Sequence, residues 1–353
     1  MLDPVDPRRT RPSAIGVEGA GSPRLVVALT LALLLALLLA VSGCGSGAGS
    51  QPANPLAGAR LWVDPRSTAA QQADAWRARV GPAADAAVEA VTSQPVATWL
   101  AGQTDDPFDE AVRVTQSAEV EAALPVLVAY HRPGRDCGSY SAGGSADADA
   151  YLAWVGRLAA GIGDRPALVV LEPDAVAQAL SGTCGSPADA AGVYALLGRA
   201  VDVLAERPGT RVYLDAGHAG WVGDLDALAD ALRASGVGRA DGFSLNVANF
   251  QTTDASVAYG ERLSALLDDA QFVVDVSRNG RGAPAATEGV DAWCNPPGAA
   301  LGENPRTGPD RALAVALLWV KEPGASDGSC RPGEPPAGEF WPEQAQRLVD
   351  QRP

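Results

Sequence analysis

Lysine is almost missing from this chain: of 27 basic residues only Lys321 is not an arginine. Acidic residues number 42 and leave a formal charge of -15, an excess that argues against nucleic acid and anionic lipid as partners and suits a neutral or cationic ligand. Histidine is equally scarce. His131 and His218 stand alone and no Cys-x-x-Cys pair occurs, so no metal is expected, and no other cofactor is called for. No period of repeat length is visible, which excludes solenoid and propeller arrays.

What is present begins with a leader. Arg8, Arg9, Arg11 and Arg24 precede an apolar stretch, Leu25 to Val41, that ends in Val41-Ser42-Gly43-Cys44. A basic region, a hydrophobic run and small residues in that order predict a secretory signal over 1–43. The alternative is an uncleaved anchor, since the run approaches the roughly 18 apolar residues of a membrane span. Val-Ser-Gly-Cys resembles a bacterial lipobox, which implies cleavage before Cys44 and lipidation of its thiol. Without that segment, whose four arginines face Asp3, Asp6 and Glu18, the charge becomes -16. Residues 44–53 have the composition of a flexible tether, and a catalytic body is expected over 54–353. The other cysteines, Cys137, Cys184, Cys294 and Cys330, are even in number in a chain expected to be exported, so disulfides are the default, with three pairings open. The expected location is the outer face of the cell membrane or the cell wall, or free secretion.

From Asn54 onward short β-rich runs alternate with Ala- and Leu-rich helical stretches. Strands are predicted at Leu61 to Val63, Val126 to Tyr130, Ala167 to Leu171, Arg211 to Leu214, Gly242 to Val247, Phe272 to Asp275 and Val315 to Val320. Helices are predicted at Ala148 to Gly161, Ala188 to Glu206, Asp224 to Ser235, Ser256 to Asp269 and Pro342 to Gln351. The strands are apolar nearly throughout, as when both faces are covered, and the fold class that follows is α/β with a parallel sheet or barrel. Ligands bind beyond the carboxyl ends of such strands.

Those ends carry chemistry. Leu168-Val-Val-Leu-Glu-Pro-Asp174 closes an apolar strand on a carboxylate, and Asp136 and Asp327 follow two other apolar runs. Paired carboxylates can keep one of their number protonated near neutral pH, as a general acid requires; capping of the next helix is the competing reading. Tyr213-Leu-Asp-Ala-Gly-His-Ala-Gly-Trp221 places Asp215, His218 and Trp221 on a Gly-containing turn, where an indole could stack on a sugar ring. Trp293-Cys-Asn295 and Asn246-Val-Ala-Asn249 add an aromatic platform and amides suited to hydroxyls. Asp275 and Arg278 read as a charge network or a structural ion pair. Lys321 could hold a substrate hydroxyl as a flexible donor.

Together these segments resemble glycoside hydrolase family 6, the inverting β-1,4-glucanases. The resemblance rests on Tyr130-His-Arg-Pro-Gly-Arg-Asp-Cys-Gly and Leu168-Val-Val-Leu-Glu-Pro-Asp174 and runs from about Asn54 to Trp341. It implies a distorted parallel β/α barrel of TIM type with about seven strands. It implies Asp174 as general acid, Asp136 as the carboxylate that steadies it, Asp327 as the residue most often proposed as base, and Tyr130 as the residue that distorts the sugar. Asp215, His218, Trp221, Asn249, Trp293 and Lys321, with Trp62, match glucan-lining positions, and Arg135 and Arg278 match arginines around the acidic centre. The implied disulfides are Cys137 with Cys184 and Cys294 with Cys330. Departures from the family pattern are His131, where Asn or Asp is usual, Ala325 for a sugar-binding carboxylate, Asp224 for a stacking tryptophan and Ala142 for a water-holding serine.

The resemblance implies a monomeric enzyme acting on a β-1,4-glucan polysaccharide or oligosaccharide, with the membrane touched only through the N-terminal lipid or signal anchor. Endo action in an open cleft is expected, because the 36 positions from Cys294 to Cys330 leave little material for a roof. An exo-acting cellobiohydrolase, or a surface glucan-binding lipoprotein with weak turnover, are the alternatives.

Overall fold

Eight strands are formed, all but the short β7 from mostly apolar runs: β1 Thr98–Leu100, β2 Val126–Ala129, β3 Ala167–Leu171, β4 Thr210–Asp215, β5 Gly242–Leu245, β6 Gln271–Asp275, β7 Arg306–Thr307 and β8 Ala314–Leu318. Seven of them run parallel in the order β1-β2-β3-β4-β5-β6-β8, and β7 lies antiparallel along β8. This computed structural model describes residues 53–102, 106–284, 292–311 and 313–353. The expected signal segment, Cys44 and the tether up to Pro52 lie outside the described residues.

The sheet curls until its two edges meet at one bridge, Val96 to Trp319, where the Ala97 N–H donates to the Trp319 carbonyl at 2.9 Å. A distorted parallel β/α barrel results, as the sequence predicts. Successive residues of β3 serve two cores. Leu168 and Val170 join Val126, Val128, Tyr213 and Val273 in one cluster, while Ala167, Val169 and Leu171 join Leu127, Ala129 and the helices in another. That is why the strands read as unbroken apolar runs, each fully buried Val or Leu contributing roughly 1.5–3 kcal/mol.

Ten helices are described: α1 Thr68–Gln71, α2 Ala73–Val80, α3 Ala84–Thr92, α4 Phe108–Val120, α5 Ala148–Ile162, α6 Ala175–Ser181, α7 Pro187–Ala205, α8 Leu225–Ala234, α9 Thr253–Leu266 and α10 Pro342–Asp350. Side-chain caps set several starts: Asp147 accepts from the Ala150 N–H, Asp224 from Ala227, and Ser186 forms a reciprocal capping box with Asp189. Asp224 thus has a structural task where a stacking tryptophan was the alternative. α9 begins before the predicted Ser256 because Thr252 caps it through the Ala255 N–H.

Two predicted features differ. Leu61 to Val63 is not a strand: Leu61 makes a single bridge to Leu124, after which Asp64 accepts from the Arg66 N–H at 2.8 Å and Pro65, lacking a donor, turns the chain away. β1 was not anticipated, since three residues after a proline are too short for a periodic signal. The disulfides are Cys137–Cys184 and Cys294–Cys330, with Cα separations of 5.3 and 6.3 Å, as the resemblance implies. They fit a chain that matures outside a reducing compartment.

Candidate active site

β3 ends in Glu172-Pro173-Asp174, and both acids hold left-handed backbone, with φ of 48° and 69°. Such strain, of order 1–3 kcal/mol per residue, persists only where the surroundings impose it. Asp174 occupies the capping position of α6, yet its side chain accepts no capping bond. Helix capping is thereby set aside. Its backbone N–H instead donates to Asp215 Oδ2 at 2.8 Å, which ties the ends of β3 and β4 together.

Burial, then the charges of Asp215 and Asp136, push the Asp174 carboxyl well above the ordinary carboxylate range, against smaller opposing effects of Arg132 and Lys321. Asp215 is also raised, chiefly by burial, but it is the better anion of the two. Its oxygens accept from the Asp174 N–H, from the Gly217 N–H at 3.1 Å and from the Ser244 hydroxyl at 3.2 Å. The shared proton therefore resides on Asp174. Asp215→Asn removes a negative charge that disfavours ionisation of Asp174, so Asp174 should lose its proton at lower pH. The alkaline limb of the kcat/KM profile is expected to move to lower pH in this variant; an unmoved limb would show that burial and Asp136 hold the proton without Asp215.

Asp136 sits half-buried on a tight turn, also left-handed at φ 56°, and accepts from the Ser141 N–H at 2.7 Å. The adjacent Cys137–Cys184 bond anchors that turn beyond α6. Arg135 does not pair with a carboxylate as a charge network would require. It donates to the carbonyls of Tyr130 (2.7 Å), Ser141 (2.8 Å) and Ala142 (3.3 Å), and its guanidinium lies 4.8 Å over the Tyr130 ring. Its role in this geometry is to stiffen the turn that carries Asp136.

Tyr130 is buried, edge-on to Trp99 at 5.4 Å, and its phenol titrates well above its ordinary value because of burial and the nearby Asp174 and Asp136. Asp327 is equally buried. Its Oδ2 accepts from Arg278 at 2.9 Å and from the Asn295 N–H at 3.0 Å, and Lys321 Nζ lies 3.4 Å from Oδ1. Burial would raise its proton affinity, but Arg278 and Lys321 outweigh it and hold the carboxyl below the ordinary range. Lys321 also donates to the Ser326 carbonyl at 3.2 Å.

Several polar residues prove structural. The Asn295 side chain, read as a sugar contact, is spent on Asp327 N–H, the Gly328 carbonyl and Glu334. Asn246 is buried and bonds the carbonyls of Asp275 and Gln251. Asp275 accepts from four backbone N–H groups, those of Ala248, Ser277, Val320 and Lys321, knotting the ends of β5, β6 and β8. Glu172, fully buried and raised to about 7 by that burial, receives the His131 N–H at 2.8 Å and so positions the loop after β2. Trp62 does not reach the rim: it is buried with its indole N–H on Glu121 at 3.1 Å.

His218 and Trp221 lie beside each other, rings 5.9 Å apart, on the turn after β4, and Asn249 is half-buried after β5. Burial lowers His218 to about 4, and its Nδ1 accepts from the Gly220 N–H, which leaves a neutral ring with its proton on Nε2. Beside the acidic centre a cleft of about 510 Å³ is lined by Asp64, Trp99, Tyr130, Lys321 and Ala325. The expectation of a cleft open throughout meets one difference, a contact between Tyr140 and Trp293 at 6.1 Å. Neither Tyr140 nor Arg132, which holds Gln178 at 2.6 Å beneath Asp174, was singled out from sequence. Both flank Asp136 in the chain, which was the available signal.

The family model described as Glycosyl hydrolases family 6 matches residues 56–352. The chain belongs to that family. Within it, Endoglucanase A of Cellulomonas fimi is 40% identical over 297 residues, covering 84% of this chain and 62% of that protein. Endoglucanase 1 of Streptomyces halstedii is 38% identical over 298 residues, covering 82% of this chain and 88% of that one. This family 6 chain thus spans about three fifths of the first relative and most of the second. The endoglucanase Cel6 from Mycobacterium tuberculosis, solved with a thio-linked cellobiosyl cellobioside, superposes with a TM-score of 0.78 at 42% identity, over 85% of this chain and 99% of that one. A cellobiohydrolase of Humicola insolens, at 24% identity and TM-score 0.74, shares the fold. As a family 6 member the protein is a glycoside hydrolase.

Proposed function

We propose that this family 6 enzyme cleaves internal β-1,4-glucosidic bonds with inversion, acting as an exported endoglucanase held outside the cell through a lipid on Cys44. The observation that carries the chemistry is Asp174, whose carboxyl keeps its proton because it is buried beside Asp215 and Asp136. An acid poised there protonates the departing glucosidic oxygen while water attacks the opposite face of the sugar. Asp136 is favoured as the proton acceptor, reached through water, because Asp327 already holds a guanidinium, an ammonium and a backbone N–H and is a weak base in consequence. Asp327 then serves as a fixed negative charge facing the developing oxocarbenium ion.

Endo action is supported by the names of the more similar relatives, endoglucanases at 38–40% identity, whereas the cellobiohydrolase of Aspergillus niger is 29% identical. Trp221, beside His218 after β4, and Trp293, beside Tyr140, offer indole faces suited to stacking on sugar rings, and Lys321 lines the 510 Å³ cleft. Proton NMR of a freshly cleaved cello-oligosaccharide should show the α-anomer first, and carboxymethylcellulose should lose viscosity before much reducing sugar appears. A β-anomer first would refute inversion. Reducing sugar without a fall in viscosity would refute endo action.

A further inference from the structure

Two loops face each other across the acidic centre, and each is stiff within itself. The first, 135–143, carries Asp136 and is fastened by Cys137–Cys184, by Arg135 on its carbonyls and by the Ser141 N–H on Asp136. The second carries Trp293, Asp327 and Gly328 and is fastened by Cys294–Cys330 and the Asn295 side chain. Among the described residues no hydrogen bond joins the two loops. What joins them is Tyr140. Its ring lies tilted against Trp293 at 6.1 Å and so close to Gly328 that a methyl group there would fall 2.4 Å from Cγ. Tyr140 is nevertheless 50% exposed and Trp293 40%, the largest exposed aromatic surface described. The remaining face of Tyr140 lines the 510 Å³ cleft with Tyr130, Lys321 and Ala325.

A polymer segment entering the cleft that Tyr140 lines meets this contact. A ring held by packing alone, on a half-exposed residue, can swing aside at less cost than a loop fastened by a disulfide. Resting on the reading of glucan hydrolysis given above, we propose that Tyr140 is a specificity-determining residue of this enzyme: it parts from Trp293 to admit an internal stretch of unsubstituted β-glucan from the side, then closes on the bound glucosyl ring. It offers an aromatic face in the same cleft where Ala325 offers no polar contact.

Tyr140→Ala and Tyr140→Phe, assayed in the full-length enzyme on cellopentaose and carboxymethylcellulose, test this. Tyr140→Ala should raise KM about tenfold with kcat within about threefold, and should cause a larger viscosity drop per reducing end because side entry is no longer gated. Tyr140→Phe, which keeps the flat face, should match wild type. Tyr140→Leu, which keeps bulk against Gly328, serves if the alanine variant does not fold, and should show the raised KM. An unchanged KM and viscosity ratio would overturn the proposal. So would a fall in kcat at unchanged KM with a displaced pH profile, since that means Tyr140 acts only through Asp136. If the wild type cleaves no glucan, the proposed activity fails separately, and calorimetric titration with cellopentaose decides Tyr140: equal Kd for wild type and Tyr140→Ala would overturn its role.

Discussion

Asp174→Asn should lower kcat on an unactivated β-glucan by about 10²–10⁴-fold, the usual contribution of a positioned general acid, with KM little changed. The amide fills the same space and leaves the backbone N–H on Asp215, so the loss reports the missing proton. An aryl cellobioside, whose leaving group needs little protonation, should lose far less. Comparable losses on both substrates would remove Asp174 from the acid role. Stability should move the other way. Because the folded carboxyl binds its proton more tightly than the unfolded one, unfolding releases a proton between the ordinary and the raised pKa, and stability falls as pH rises through that window. The neutral amide abolishes this slope, so the variant should melt at or above the wild-type temperature at neutral pH.

Arg278→Ala should be among the most destabilising single changes in the protein. Arg278 is 1% exposed, and its removal leaves the buried Asp327 with the Asn295 N–H at 3.0 Å and, as counter-charge, the ammonium of Lys321 at 3.4 Å. Breaking a buried pair on one side costs about 3–5 kcal/mol. At about 2–4 °C per kcal/mol for a domain of slightly smaller size, the melting temperature should drop by roughly 6–20 °C. Arg278→Met combined with Asp327→Asn removes both charges and should recover most of that loss while activity stays low. If the double variant melts no higher than Arg278→Ala, the cost lies in lost packing against Phe250, over whose ring the guanidinium stands at 4.6 Å. Differential scanning calorimetry of the three proteins separates the two explanations.

The strands that matter most for the site were legible because both faces of the sheet are buried: β3 lies at Ala167–Leu171 as read, and its carboxyl end delivers Asp174. Helices with a side-chain cap were legible for a related reason, since Asp147, Ser186 and Asp224 announce their starts. β1 was not, because three residues give no period. α1 to α4 and α6 were missed as well; short helices such as the four-residue α1 are held by tertiary packing more than by their own pattern. Within the site, the identity of each acid was readable, but the division of labour was not. Asn295 and Lys321 look alike in one dimension; in three, the Asn295 amide is bonded to the Asp327 segment, whereas Lys321 pairs with Asp327 and also lines the cleft. Arg135 likewise reads as a counter-charge to Asp136 until its donors are seen to end on carbonyls. Tyr140 carried only its nearness to Asp136 as a chain signal, since its partners Trp293 and Gly328 are far away in sequence.

The single bridge at Val96 and Trp319 has a chemical consequence beyond closing the barrel. Past that point β1 and the end of β8 splay, and the indole N–H of Trp99, not a backbone amide, reaches the Val320 carbonyl at 2.7 Å. Val96, Ala97, Thr98 and Trp99 form one wall of the 510 Å³ cleft. Among the described residues no further β1–β8 bridge follows that one, and any backbone group left unpaired at such a seam must be met by water or by a guest. A molecule studded with hydroxyls, each able to donate and accept, is the guest best suited to such an unfinished ladder. In the proposed reading, the glucan would lie where the sheet stops pairing with itself, along the wall that Val96 to Trp99 give the cleft.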